Sequence, residues 1–153
     1  MSDLTESLIA LPMPLFSSMQ SELFLVLHTI DCETGAPSVN AISWVYAKEP
    51  AKIRFAVDAR SRILTNIRQH DQASFTYIGQ GTVYAISGKA KVVTEELPGI
   101  PFKLVCIDVD IDFVREAMFY GAKITNEIQY EKTYDKRAAE KLDQQVFESM
   151  KKA

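Results

Sequence analysis

The sequence predicts a mainly β protein, a small antiparallel barrel of about six or seven strands flanked by helices. Apolar and polar residues alternate along several stretches, most regularly over residues 105–113, which is the period of a half-buried strand. Short segments rich in glycine, proline or polar residues separate these stretches. The strands follow one another directly, and this order does not suit a doubly wound nucleotide-binding fold, in which strands and helices alternate.

The bulk properties narrow the class of protein. A chain of 153 residues without an internal repeat is long enough for one domain, residues 1–153, with its own core. The net charge of −3 and the lack of a basic stripe argue against a nucleic-acid partner. No stretch approaches the roughly 20 apolar residues that cross a bilayer, and the acidic amino terminus does not resemble a secretory signal. With Cys32 and Cys106 far apart, we expect a cytoplasmic protein without disulfides, bound metal or membrane contact.

The first half of the chain contains one predicted helix and two predicted strands. Apolar spacing predicts a short amphipathic helix over residues 2–11, ended by Pro12 and Pro14. The apolar, β-branched runs at residues 23–30 and 39–47 each predict one strand, with turn chemistry between them. Together with the strand that follows, they predict an antiparallel meander.

Residues 53–79 predict a strand, a polar turn, a short helix and a second strand. The turn at residues 58–61 supplies small polar residues able to cap the helix, and it places Ser61, Arg60 and Arg62 at the helix start. Free N–H groups, the positive end of the helix dipole and guanidinium groups together favour a phosphate. The alternative is a solvated helix start whose arginine stems cover apolar surface, and without further context this interpretation is the stronger.

The second half predicts three more strands and a closing helix. A tight hairpin at residues 79–81 leads into a strand over residues 82–94, in which Gly88 indicates a bulge or bend. Strands are predicted at residues 105–113 and 126–134. Asp135 then caps a closing helix whose apolar residues lie four apart.

Two groups of polar residues invite a chemical role and do not support one. Asp108, Asp110 and Asp112 share one strand face, but the glycine and glutamate of a calcium loop are missing, so we predict a solvated outer face. His28 and His70 lack a cysteine or carboxylate at ligand spacing on the same element, and no catalytic triad can be argued from them.

Residues 40–70 resemble the flavin-binding split-barrel family related to pyridoxamine 5′-phosphate oxidase. The resemblance rests on the pair Ser61-Arg62 after the apolar strand residues 55–57, and on similar residues at 79–82 and 86–90. It implies a split β-barrel, FMN as cofactor, and a homodimer that holds two flavins at the subunit interface.

Site residues follow from the resemblance by position. Ser61 and Arg62 would hold the phosphate, while Ile63 stands where the family has a lysine, a charge that Arg60 could replace. Asn40 and Ala41 compete for one position that is often arginine. The isoalloxazine and ribityl chain would be lined by the strand from Asn40 to Trp44 and its neighbours, namely Asn40, Ala41, Ser43, Trp44, Ala56 and Val57, with Thr82 approaching through the next hairpin.

The resemblance implies an FMN-dependent oxidoreductase acting on a small-molecule redox substrate, with the catalytic residues unknown. The sequence lacks the carboxy-terminal Trp and Arg-x-His segment of the true oxidase, so we expect a different substrate. Two alternatives stay open. One is a non-catalytic protein that binds or senses a flavin, a deazaflavin or haem, and the other is a structural split barrel that has lost its ligand.

Overall fold

Seven strands and three helices make up the computed structural model, which describes residues 8–153. In chain order they are α1 (Met13–Ser18), β1 (Leu25–Ile30), β2 (Pro37–Ile42), β3 (Val45–Glu49), β4 (Lys52–Asp58), α2 (Arg62–Gln69), β5 (Gln72–Gly79), β6 (Thr82–Thr94), β7 (Leu104–Glu116) and α3 (Lys136–Lys152). All neighbouring strands are antiparallel, in the order β2-β1-β5-β6-β7-β4-β3.

The two edge strands of the sheet, β2 and β3, are adjacent in the chain. β2 pairs with β1 and β3 pairs with β4, yet only Ser43 and Trp44 separate β2 from β3. The sheet must therefore curl until its margins meet, which gives the predicted split barrel. The prediction of one strand over residues 39–47 is wrong, because the extended segment changes its pairing partner at Ser43 and Trp44. Hydrophobic periodicity cannot show such a change.

Both glycine signals in the second half of the sheet are confirmed. The hairpin between β5 and β6 turns at Gln80 and Gly81, whose φ angles are 56° and 78°. The register of β6 against β7 shifts between Ser87 and Gly88. A Cβ on Gly88 would lie 2.1 Å from the carbonyl oxygen of Asp110, so this close approach requires glycine.

The barrel has an apolar interior and a second apolar layer outside it. Side chains of six strands fill the interior, Ile42 of β2 packs against them, and Ile63, Leu64 and Ile67 of α2 belong to the same cluster. On the outside, α3 packs over β3, β4 and β7, where Val146 and Met150 meet Tyr46, Ala56 and Cys106. The predicted cap of this helix is confirmed, since the Asp135 carboxylate accepts from the amides of Arg137 and Ala138.

Three sequence-based predictions need correction. Residues 8–11 are not helical, and the rest of the helix predicted over residues 2–11 lies outside the described residues. Pro12 and Pro14 begin α1 instead of ending a helix, since the first turn of a helix does not need their missing N–H groups. Residues 126–134 form no strand.

A further correction concerns Asp108, which is 2% exposed and not solvated. It lies beside Arg54 beneath α3, whereas Asp110 and Asp112 of the same strand do reach solvent. Within residues 8–153, no helix has both the length and the apolar character that crossing a membrane requires.

Candidate functional site

The turn between β4 and α2 has the helix start that the sequence predicts. Ser61 is the N-cap, and its Oγ accepts a hydrogen bond of 3.1 Å from the amide of Ile63. The Ser61 amide donates to the carbonyl oxygen of Asp58 at 2.9 Å. The Arg62 amide finds no acceptor within residues 8–153. This amide and the Ser61 hydroxyl are donors that an anion could use.

Both arginines of the turn already hold carboxylates. Arg62 forms a two-pronged pair with Asp31, in which Nε lies 2.7 Å from Oδ1 and Nη2 lies 3.1 Å from Oδ2. A third contact joins its Nη2 to Glu33 at 3.3 Å. Arg60 pairs with Asp58 at 3.1 and 3.2 Å. The Arg62 guanidinium holds the pKa of Asp31 well below its usual range, so this carboxylate is ionised at neutral pH.

A buried amide fixes the position of Asp31 relative to the helix. Asn66 lies on the apolar side of α2 with no exposed surface. Its Nδ2 donates to Thr29 Oγ1 at 3.0 Å, and its Oδ1 accepts from the Cys32 amide at 2.9 Å. The turn after β1 is thereby tied to α2. Sequence reasoning missed this contact, although an asparagine between Ile63 and Ile67 on a helical stripe was its signal.

Asn40 and Ala41, the two competing positions, face opposite sides of the sheet. Asn40 pairs with Leu27, whose side chain is in the core, and Ala41 pairs with Val26. Directly paired residues project to the same face. Asn40 therefore projects to the face of the core and of Thr29, which bonds α2, whereas Ala41 projects to the outer face. The two side chains therefore do not lie on one face of the sheet.

The remaining predicted residues are partly brought together. The Trp44 carbonyl accepts from the Ala56 amide at 3.0 Å, which places the break between β2 and β3 beside β4. Ala56 and Val57 diverge, because Ala56 lies under α3 and Val57 lies in the core.

Thr82 is not brought to the helix start. Its hydroxyl donates to Glu116 at 2.9 Å, at the far end of β5 and β6 from α2.

A cleft of about 270 Å³ adjoins two of the predicted flavin contacts. Its lining comes from the residue before β1, from β2 and the break after it, and from the segment before α3, namely Phe24, Ala41, Ile42, Ser43, Tyr130 and Lys132. Lys132 Nζ lies 3.1 Å from both Glu22 and Asp143, and the Trp44 Nε1 donates to Asp143 at 2.8 Å. Sequence reasoning missed Tyr130 and Lys132, since it placed them in a strand.

The outer face of the sheet carries two rows of mostly small or apolar side chains. Each row crosses five paired strands. The first row is Ala41, Val26, Thr76, Ala85 and Arg115, and the second is Val39, His28, Ser74, Ser87 and Phe113. Val39 is 61% exposed, so a single chain leaves apolar surface open here. We call these ten residues the outer-row face.

One family profile matches more than half of the chain. Residues 17–98 match the profile described as pyridoxamine 5′-phosphate oxidase. No curated protein sequence matches significantly.

Solved structures with the same fold include an F420 reductase, which is 18% identical (TM-score 0.55, covering 64% of this chain and 93% of that one). A pyridoxamine 5′-phosphate oxidase-related, FMN-binding protein of Nostoc punctiforme is 14% identical (TM-score 0.52, covering 64% and 75%). HupZ of Group A Streptococcus is 10% identical (TM-score 0.53, covering 72% and 93%).

Proposed function

The chain belongs to the pyridoxamine 5′-phosphate oxidase family, and we propose that it is a flavoprotein that binds the phosphate of FMN at the start of α2. The observation that carries the proposal is the helix start itself, where Ser61, the Arg62 amide and two guanidinium groups lie within the matched region. Each charge-assisted hydrogen bond to a phosphate contributes on the order of 1.5–3 kcal/mol. The donor set therefore suits this group, although carboxylates compete for it.

The proposed reaction is an oxidoreduction of a small molecule. Bound FMN would supply the electron or hydride transfer, and the residues of this chain would bind and orient it. Asn40 projects toward the side of the sheet bonded to α2, which suits a place near the phosphate. Ala41, Ser43 and the cleft with Tyr130 suit the ring end of the ligand, since aromatic walls and small residues accept a flat group.

We further propose a homodimer that covers the outer-row face and holds the flavins at its interface. Arg115 carries the one full charge among the ten residues of that face. Exposed apolar side chains such as Val39 and Phe113, on a face with few charges, are typical of an association site. Ala41, a predicted flavin contact, lies in the same row, so a second copy on this face would also cover the ligand.

A cytoplasmic location goes with this proposal. Cys32 and Cys106 are both free thiols, which suits a reducing compartment. Burial raises the pKa of the Cys106 thiol to about 11, so this group is protonated at physiological pH.

A second candidate is a deazaflavin-binding protein or a carrier without turnover. The likeness to an F420 reductase favours the deazaflavin, since the two proteins share the fold. Anaerobic mixing of the FMN-loaded protein with NADH or NADPH in a stopped-flow instrument separates the hypotheses. Rapid, saturable bleaching supports the enzyme, and no bleaching with any donor supports the carrier.

Replacing Arg62 by alanine tests the phosphate site. We expect FMN affinity, measured by quenching of flavin fluorescence on stripped protein, to fall roughly ten- to hundredfold with loss of a charge-assisted contact. Arg68→Ala is the matched control, because Arg68 lies in the last turn of the same helix and pairs with Glu95. Equal affinity in the wild type and Arg62→Ala would show that the phosphate binds elsewhere.

A further inference from the structure

The Asp31–Arg62 pair occupies the guanidinium edge that a phosphate would use. Both prongs of the fork are taken, at 2.7 and 3.1 Å. Arginine binds carboxylates and phosphates with this same two-pronged geometry. A phosphate and Asp31 therefore cannot both hold this edge of Arg62.

Asp31 is held firmly in its place by its own turn. Its Oδ2 accepts from the amides of Glu33 and Thr34 at 3.1 and 2.9 Å and from the Thr34 hydroxyl at 3.1 Å. Its side chain is 14% exposed, against 52% for Arg62. Of the two partners, Arg62 is therefore the one free to move. When it leaves, Asp31 keeps three hydrogen-bond donors.

The charges around the helix start favour a phosphate that replaces a carboxylate over one that binds beside it. Asp31, Glu33 and Asp58 contact two arginines, so the five groups carry a formal net charge of −1. A phosphate added without displacing a carboxylate would be repelled. Ion pairs with one partner half exposed contribute little to stability, so a dianion with further donors at Ser61 and the Arg62 amide can replace Asp31.

We propose that Asp31 is an internal competitor for Arg62, which sets the affinity of the site and restricts it to ligands that carry a phosphate. In the free chain Asp31 holds the guanidinium; on binding, Arg62 swings from Asp31 to the phosphate. This inference rests on the proposed function, since it assumes that the phosphate of FMN binds at Arg62. Riboflavin has the same ring and no phosphate, so it has no means of displacing Asp31.

Asp31→Asn tests the proposal, because asparagine keeps an oxygen for the turn amides and removes the competing charge. We expect FMN affinity to rise roughly three- to fivefold, the worth of a partly exposed ion pair. Riboflavin affinity, measured by the same fluorescence titration, stays unchanged. Thermal melting of the variant checks that the turn is kept.

A second background separates competition from simple repulsion. If Asp31 competes for Arg62, the gain from Asp31→Asn disappears or shrinks in Arg62→Ala. Equal gains in both backgrounds would show that Asp31 is only a nearby charge, and would overturn the proposal while leaving the phosphate site intact. An Arg62→Ala variant that binds FMN as well as the wild type would overturn the phosphate site and the competitor together.

Discussion

At the scale of single residues, Arg54 joins three parts of the molecule. It is 3% exposed, and its Nε and Nη2 lie 2.6 and 3.0 Å from the carboxylate of Asp108 on β7. Its Nη1 donates to the carbonyl oxygens of Met150 and Ala153, at the end of α3. The Asp108 carboxylate raises the pKa of Arg54 above its usual range, so the guanidinium stays charged although it is buried. One side chain thus links β4, β7 and α3.

We expect Arg54→Met to destabilise the protein by roughly 3–5 kcal/mol, because it leaves Asp108 buried without its main partner. Urea unfolding followed by circular dichroism gives the free energy of unfolding. Arg68→Met is the control and should change it by less than about 1 kcal/mol, since the pair of Arg68 with Glu95 is exposed. The double variant Arg54→Met/Asp108→Leu should recover part of the loss. A loss below 1 kcal/mol in Arg54→Met would contradict the linking role.

At the scale of elements, the pairing of the long strands β6 and β7 changes register at Gly88. The register shift leaves Asp112 outside the direct pairing between Ser87–Phe113 and Gly88–Ile111. Asp112 and Phe113 are both exposed as a result, and Ile111 and Val114 face the core on either side. The bulge therefore keeps the apolar side of β7 inward along its whole length.

Gly88→Ala should destabilise the fold by roughly 1–3 kcal/mol, because the added methyl group must push the β7 backbone away. The nearest atom, the Asp110 carbonyl oxygen, would be 2.1 Å from that methyl carbon. Thermal unfolding measures the effect. Ser87→Ala, at the neighbouring half-buried position, is the control and should change stability by about 0.5 kcal/mol or less. Equal melting of Gly88→Ala and the wild type would mean that the strands separate easily here.

Elements could be predicted where local chemistry decides them. The alternation in β7, the glycines of the β5–β6 hairpin and the Ser61 and Asp135 caps are all local signals, and the structure follows them. The division between β2 and β3 depends on which distant strand pairs with each half, and no local pattern contains that. Residues 126–134 alternate like a strand, yet the side chains of Tyr130 and Lys132 contact Glu22, and the backbone joins no sheet.

The candidate site was predictable to a similar degree. Ser61 and its helix start are confirmed, because capping depends on adjacent residues. The partners of Arg62 could not be predicted, since Asp31 is brought to it by the packing of Asn66 against β1. The opposite faces of Asn40 and Ala41 follow only from the observed register of β2.

At the scale of the whole molecule, the barrel presents a covered and an open side. α3 covers β3, β4 and β7, while the outer-row face lies across β2, β1, β5, β6 and β7. Because α3 covers only one side of the barrel, we propose that a second copy of the chain covers the outer-row face.

Ala85→Arg should weaken the dimer by about a hundredfold or more, because it sets a second positive charge directly beside Arg115, the one charged residue of its row. Light scattering after gel filtration should show twice the chain mass for the wild type and the chain mass for the variant. FMN affinity should fall with it if the flavin lies at the interface. Gln144→Arg, at an exposed position of α3, is the control and should stay dimeric. A monomeric wild type at tens of micromolar would contradict the proposed dimer.

The short link between β2 and β3 also has a mechanical consequence. Ile42 is the last residue of edge strand β2, and Val45 is the first residue of edge strand β3. Three Cα–Cα steps join them, so their Cα atoms lie at most about 11 Å apart. Trp44 is one of the two residues of this link.

 The Trp44 indole donates a hydrogen bond to Asp143 of α3, and the Trp44 carbonyl accepts one from the Ala56 amide of β4. The link is therefore held on both sides. A ligand that immobilises residues 41–44 therefore restrains both edge strands at once, and its release would let them move apart more easily. The proposed FMN would then stabilise the closed barrel as well as supply the redox chemistry.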